Sequence, residues 1–211
     1  MRAFLRQASR KLLRWTASTV EIDGLWVAAD SREHLPKIEN ALRLIRDCDP
    51  RRHARLAKDL RSIWVTLLPG PLGQFNAIDW TCELDERFVG RASIEQVAST
   101  IVHEATHARL WRRGVGYEED IRHRVEAICF RQEQAFAKRL PSADALTDEL
   151  DAYLALPLDY WSEKSVRADH VRGSVAALRH LNMPSWLIGI VLRRHRAMRR
   201  RQRRAEAATR S

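Results

Sequence analysis

Residues 99–111 read STIVHEATHARLW, with His103, Glu104 and His107 in HExxH order. Five letters can arise by chance, so the surroundings decide what they mean. Ser93 and Gln96 have the spacing of a capping box, and Gly114 supplies a C-terminal stop, which predicts a helix from Ile94 to Arg113. At 100° per residue, Ile94, Val97, Ala98, Ile101, Ala105 and Ala108 share one side, the side that faces a core. His103 and His107 fall at about 180° and 220° from Ile94, opposite that stripe, with Glu104 near 280°. Two imidazoles one turn apart can place two nitrogens roughly 2 Å from one zinc ion. Glu104 lies alongside, where a carboxylate can take a proton from water without coordinating.

A catalytic zinc takes three protein ligands and keeps one position open. The extended pattern HExxHxxGxxH fails, because Leu110 stands where its glycine belongs. The third ligand must come from another element. Downstream of Gly114 and Gly116, a helix is expected from Glu118 to Leu140, ended by Pro141. Ile121, Val125, Ile128, Gln132, Ala135 and Phe136 define its mostly apolar side, and Glu119, Glu126 and Glu133 form a heptad-spaced row along the border. Glu126 is the first choice, mid-helix with Ala127, Cys129 and Phe130 beside it to exclude water. Glu133 is the second choice and His123 the third.

HEATH, a glycine-containing turn, and then a helix bearing a glutamate resembles the gluzincin arrangement of zinc metallopeptidases, above all the small single-domain minigluzincins. The resemblance covers roughly residues 60 to 141. Residues 133–141, EQAFAKRLP, also faintly resemble the helix end of antirepressor-type metallopeptidases. The resemblance implies one zinc ion held by His103, His107 and Glu126, with Glu104 as general base. Phe130 departs from the pattern, since many gluzincins place there an aspartate that buttresses a histidine ligand. Asp120 and Asp79 are the substitutes considered. Tyr117, Tyr160, Arg122 and His170 are candidates for stabilising an oxyanion. The segment AIDWTCEL would form the rim along which an extended peptide substrate pairs.

Composition limits the alternatives. With 211 residues, 45% hydrophobic and 30% charged, the chain can bury a core without staples. Cys48, Cys82 and Cys129 are odd in number and widely spaced, without CxxC, which argues against a disulfide framework and for a reducing compartment. No stretch is apolar for long enough to span a bilayer, so the expected location is cytoplasmic, with a peripheral membrane association as the alternative. The net charge of +10 resides in the ends: residues 1–14 carry five cations, residues 193–211 carry nine arginines against Glu206, and about −3 remains for residues 15–192.

The expected fold is α+β and zincin-like, mostly helical, with a small upstream sheet packed on the HExxH helix and a C-terminal helical extension. A basic amphipathic arm (1–20) precedes the zincin-like domain (21–156). Packed helices (157–192) and an arginine-rich tail (193–211), disordered or continuing the last helix, follow. Within the domain, a hairpin turns at Asp23-Gly24, helices break near Pro50, SIWVTLL is a strand and PGPLGQFN a loop. The functional expectation is a zinc metallopeptidase acting on a peptide or protein. Two alternatives are a metal-binding regulatory protein without turnover and an adapter that binds nucleic acid or an anionic surface through Arg193 to Arg204.

Overall fold

The computed structural model describes residues 17–194 except Ala143. Most of the expected basic amphipathic arm, before Ala17, and nearly all of the arginine tail lie outside the described residues. The architecture is α+β, with one five-stranded sheet and many helices. None of the described helices is long and apolar enough to cross a membrane.

Strands β1 (Ser18–Ile22) and β2 (Leu25–Ala29) form the expected hairpin. Asp23 and Gly24 both have positive φ, the backbone that matches a two-residue turn to the twist of its strands. Helix α1 (Leu35–Cys48) is followed at once by α2 (Pro50–Asp59), and the chain breaks between them as Pro50 requires. Asp49 caps α2 by accepting the Arg52 N–H at 3.1 Å, while Pro50 occupies the first turn, where its missing N–H costs nothing.

Strands β3 (Ser62–Thr66), β4 (Gly73–Asn76) and β5 (Thr81–Asp85) complete the sheet in the order β1-β2-β3-β5-β4. β2, β3 and β5 run parallel, and the two edge strands run antiparallel to their neighbours. Two expectations are corrected here. Residues of PGPLGQFN expected to form a loop contain β4, which the sequence hides because Gly73, Gln74 and Asn76 carry no hydrophobic alternation; the Gln74 and Asn76 amides instead donate to buried Glu83. The strand expected over AIDWTCEL begins only at Thr81, since residues 77–80 turn the β4–β5 hairpin. β5 is therefore an inner strand, and β4 forms the rim.

Leu25, Val27 and Ala29 of β2, Ile63 and Val65 of β3, and Cys82 and Leu84 of β5 alternate onto one sheet face. That face packs against Ile38, Leu42 and Ile45 of α1. It also meets Val97, Ala98, Ile101, Ala105 and Ala108 of the long helix that follows α3 (Glu86–Arg91).

That helix, α4 (Ile94–Arg112), carries the HExxH residues and opens with the anticipated capping box: Gln96 N–H to Ser93 Oγ, and Ser93 N–H to Gln96 Oε1. Gly114 follows its end with φ +77°, which a side chain would resist. Helix α5 (Glu119–Ala137) packs across α4, and α6 (Asp144–Leu154) packs on α5. A 3₁₀ turn, Leu158–Trp161, leads into α7 (Glu163–His180), and residues 185–194 are helical.

Candidate metal centre between two helices

The apolar stripe of α4 faces the sheet as expected, yet the opposite side is not open to water. Ser99, His103, Glu104 and Thr106 are each at most 8% exposed, because α5 covers that side. The helical wheel sets the imidazoles away from the core, and they lie in a second, polar interface.

The buried side of α5 differs from the expected one. Arg122, Val125, Glu126, Cys129, Glu133 and Phe136 face inward, while Ile128 is 38% exposed and Ala135 is exposed. The glutamates sit in the middle of the interface rather than at its border. Hydrophobic periodicity misassigns this face because its buried carboxylates are held by polar partners on α4, not by apolar ones.

Two imidazole nitrogens and both oxygens of one carboxylate converge there. His103 Nε2 lies 3.1 Å from His107 Nε2 and 3.2 Å from Glu126 Oε2, and His107 Nε2 lies 3.5 Å from Glu126 Oε1. Ligands about 2.0–2.1 Å from a tetrahedral zinc stand roughly 3.3 Å apart, and each of these separations is close to that spacing, with one Glu126 oxygen facing each imidazole. Three carboxylates, those of Glu104, Glu126 and Glu133, are buried around two imidazoles, so their charge must be met by protons, hydrogen bonds or a cation.

Each histidine is oriented. His103 Nδ1 is hydrogen-bonded to Glu133, whose other oxygen accepts the Ser99 hydroxyl at 2.7 Å. That bond assigns a proton to Nδ1 and points Nε2 at Glu126, so that without a metal both ring nitrogens carry a proton toward a carboxylate. Glu133, the second-choice ligand, therefore lies on the far side of the ring and plays the buttressing part that Phe130 cannot. Phe130 stands edge-on to His103, with centroids 4.9 Å apart. Tyr117 packs edge-on against His107 at 5.4 Å and donates its hydroxyl to Glu126.

Sequence reasoning does not weigh Cys129 as a candidate ligand. His103, His107 and Cys129 offer ligand atoms all within 4.8 Å of one another, a group that could hold a metal. A signal exists in the spacing: Cys129 lies three residues after Glu126 and so shares its helix face. Burial, followed by the charges of Glu126 and Glu104, pushes the Cys129 thiol far up, which keeps it protonated. Glu126 behaves oppositely. Burial works against its charge, but the hydrogen bond and charge of His103, with the Tyr117 hydrogen bond, hold its carboxyl below the usual range.

The other titratable groups follow from burial. Burial and then the neighbouring charge of His103 lower His107 to about 4, leaving a neutral ring with a free lone pair. His103 is also buried, but hydrogen bonds to Glu126 and Glu133 outweigh that cost and hold its proton well above the usual imidazole range. Burial, partly offset by His103 and reinforced by Glu126 and Glu133, pushes Glu104 up to about 8. The backbone of Phe75 on β4 acts the other way and favours the Glu104 carboxylate. A Cβ on Gly73 would meet Thr100 Cγ2 at 2.8 Å and Glu104 Oε1 at 3.1 Å, so glycine is what lets β4 lie this close to α4.

A cavity of about 900 Å³ opens onto these groups. Gly73, Gln74 and Phe75 of β4 line one side, and Leu146, Leu150 and Tyr153 of α6 line another. Tyr160, Trp161 and the α7 residues Val166, His170 and Gly173 lie over it. Of the remaining candidates, Tyr117, Tyr160 and His170 line the cavity, whereas His123, Asp120, Asp79 and Arg122 do not. Arg122 instead donates to the Trp161 carbonyl at 3.0 Å and to Glu163 at 3.1 Å, fixing the start of α7 to α5.

The chain matches no protein-family model, no curated protein and no solved structure.

Proposed function

We propose that the protein is a zinc-dependent metallopeptidase with a zincin-like, gluzincin-type site. The supporting observation is the convergence of His103 Nε2, His107 Nε2 and the Glu126 carboxylate at 3.1–3.5 Å, beside buried Glu104 in a cavity large enough for a peptide. His103, His107 and Glu126 would hold the ion. When bound, zinc supplies Lewis acidity toward a carbonyl oxygen and toward water.

The protein's own residues then divide the remaining tasks. Glu104 takes the proton of the attacking water and returns it to the leaving amine; burial raises its proton affinity, and a cation held beside it would return it to the carboxylate form that a base needs. Glu133 keeps the His103 ring in register. β4 pairs with β5 on one side, and its residues line the cavity, so a substrate backbone in extended form can pair along the strand. Tyr117, packed on His107 and lining the cavity, is the hydroxyl assigned to the oxyanion that forms on the carbonyl, which it reaches by turning from Glu126.

Cys129 supports a second reading. If its thiol closed the coordination shell, the site would be four-coordinate and would serve a regulatory protein without turnover. Zinc content and cleavage of a quenched-fluorescent peptide library, measured on the wild type and on Glu104→Gln, separate the two. A peptidase cleaves, and Glu104→Gln keeps the zinc while losing at least a hundredfold in rate, in line with a general base's usual contribution of about 10²–10⁴. A zinc-loaded wild type that cleaves nothing supports the closed site.

A further inference from the structure

Large apolar side chains stand exposed toward the C-terminal end of the described chain. Leu181 is 60% exposed, Trp186 67% and Val191 45%. Leu181 closes α7, Asn182 turns the chain with positive φ, and Pro184 opens the helical segment 185–194. The Pro184 carbonyl accepts the Leu187 and Ile188 N–H groups at 3.0 and 3.1 Å.

This helix carries more apolar surface than its one packed side can bury. Residues 186–192, WLIGIVL, are apolar throughout, and a helix of that kind is stable only where every side is covered. Ile188, 4% exposed, marks the side that is packed. Trp186 and Ile190 fall about 160° from it on either side, and Arg193 about 140°. The outward stripe therefore begins apolar and ends cationic. The charge that follows has one sign: residues 193–211 carry nine arginines against Glu206, whereas residues 15–192 sum to about −3. An anionic surface would attract this end of the molecule and repel the rest.

We propose that residues 181–194 lie in the headgroup region of an anionic membrane, with Leu181, Trp186 and Val191 toward the acyl chains and the adjoining arginines on lipid phosphates and carboxylates. The exposed aliphatic side chains decide the partner. A nucleic acid or an acidic peptide would engage the arginines and leave Leu181 and Val191 in water. A second copy of the chain would bring two arginine-rich ends together, and they repel. The apolar run is far too short to span a bilayer, which suits a helix lying in the plane of the interface. None of these residues belongs to the metal-ligand cluster, so the inference stands whether or not the chain is a peptidase.

The test is sedimentation of the full chain with vesicles of phosphatidylcholine, alone or with phosphatidylserine. At about 30 mol % phosphatidylserine, the wild type should bind at least tenfold more tightly than to phosphatidylcholine alone. Leu181→Ser/Trp186→Ser/Val191→Ser keeps every arginine, and it should lose at least tenfold on the mixed vesicles while binding a labelled oligonucleotide as the wild type does. Circular dichroism matching the wild type establishes that the variant is folded. A second measurement needs no destabilising change: acyl chains carrying bromine should quench part of the wild-type tryptophan emission, and that part should be missing in Trp186→Phe. Equal vesicle binding by the triple variant, or quenching unaltered in Trp186→Phe, overturns the proposal. So does an equal loss of oligonucleotide binding, which reassigns the surface to nucleic acid, or a wild-type dimer that the triple variant abolishes, which reassigns it to a second copy.

Discussion

His103 stands between two carboxylates that meet different atoms of its ring. Glu126 faces Nε2 and Glu133 holds Nδ1, with Ser99 behind Glu133. Removing an orienting carboxylate of this kind usually costs about 10–100-fold in metal affinity, and Glu133→Ala is expected to weaken zinc by that much while Glu126→Ala abolishes stoichiometric binding. Cys129→Ser should keep zinc; if it loses the metal as completely as Glu126→Ala, the thiol and not the carboxylate is the ligand. Zinc must also displace a proton from His103, which the two carboxylates hold well above the imidazole range, whereas His107, lowered to about 4, has none to release near neutrality. Affinity should therefore fall as pH falls, by about tenfold per unit over roughly pH 6 to 8 if one proton is released. A chelator competition series measures it, and a flat profile would contradict the assigned protonation.

At the scale of elements, the site depends on how closely β4 and α5 approach α4. Gly73→Val would drive a side chain into Thr100 and Glu104, and overpacking of this kind costs about 1–3 kcal/mol. The expected result is a lower unfolding midpoint and a displaced Glu104, seen as lost cleavage at retained zinc. Equal stability and activity would mean that β4 can recede. The elements also show what the sequence makes legible. α4 is readable to within a residue because its capping box, apolar stripe and terminal glycine agree, and the β1–β2 hairpin is readable from Asp23-Gly24. β4 is not, because an edge strand held by amides to Glu83 has no hydrophobic alternation to detect. The inward face of α5 is misassigned for a related reason: Glu126 and Glu133 are buried by virtue of partners on another helix, and those partners cannot be seen along α5 alone. Glu126 stands out in the sequence, but the role of Glu133 depends on a ring orientation that no linear pattern carries.

At the scale of the whole molecule, the C-terminal helices form a roof over the cavity. Gly173 of α7 meets Gly70 so closely that a Cβ would collide with the Gly70 backbone, and Arg122 ties the base of α7 to α5. Gly173→Leu should lift α7, exposing residues 157–180 to limited proteolysis several times faster than in the wild type; unchanged nicking would show that the contact does not hold the roof.

The central claim is that His103, His107 and Glu126 hold one zinc ion. Metal analysis of freshly purified protein by plasma mass spectrometry tests it most directly. The expected result is close to one zinc per chain in the wild type and none in His103→Ala/His107→Ala. A wild type without stoichiometric zinc after exposure to the metal, or a double variant that retains it, would contradict the claim.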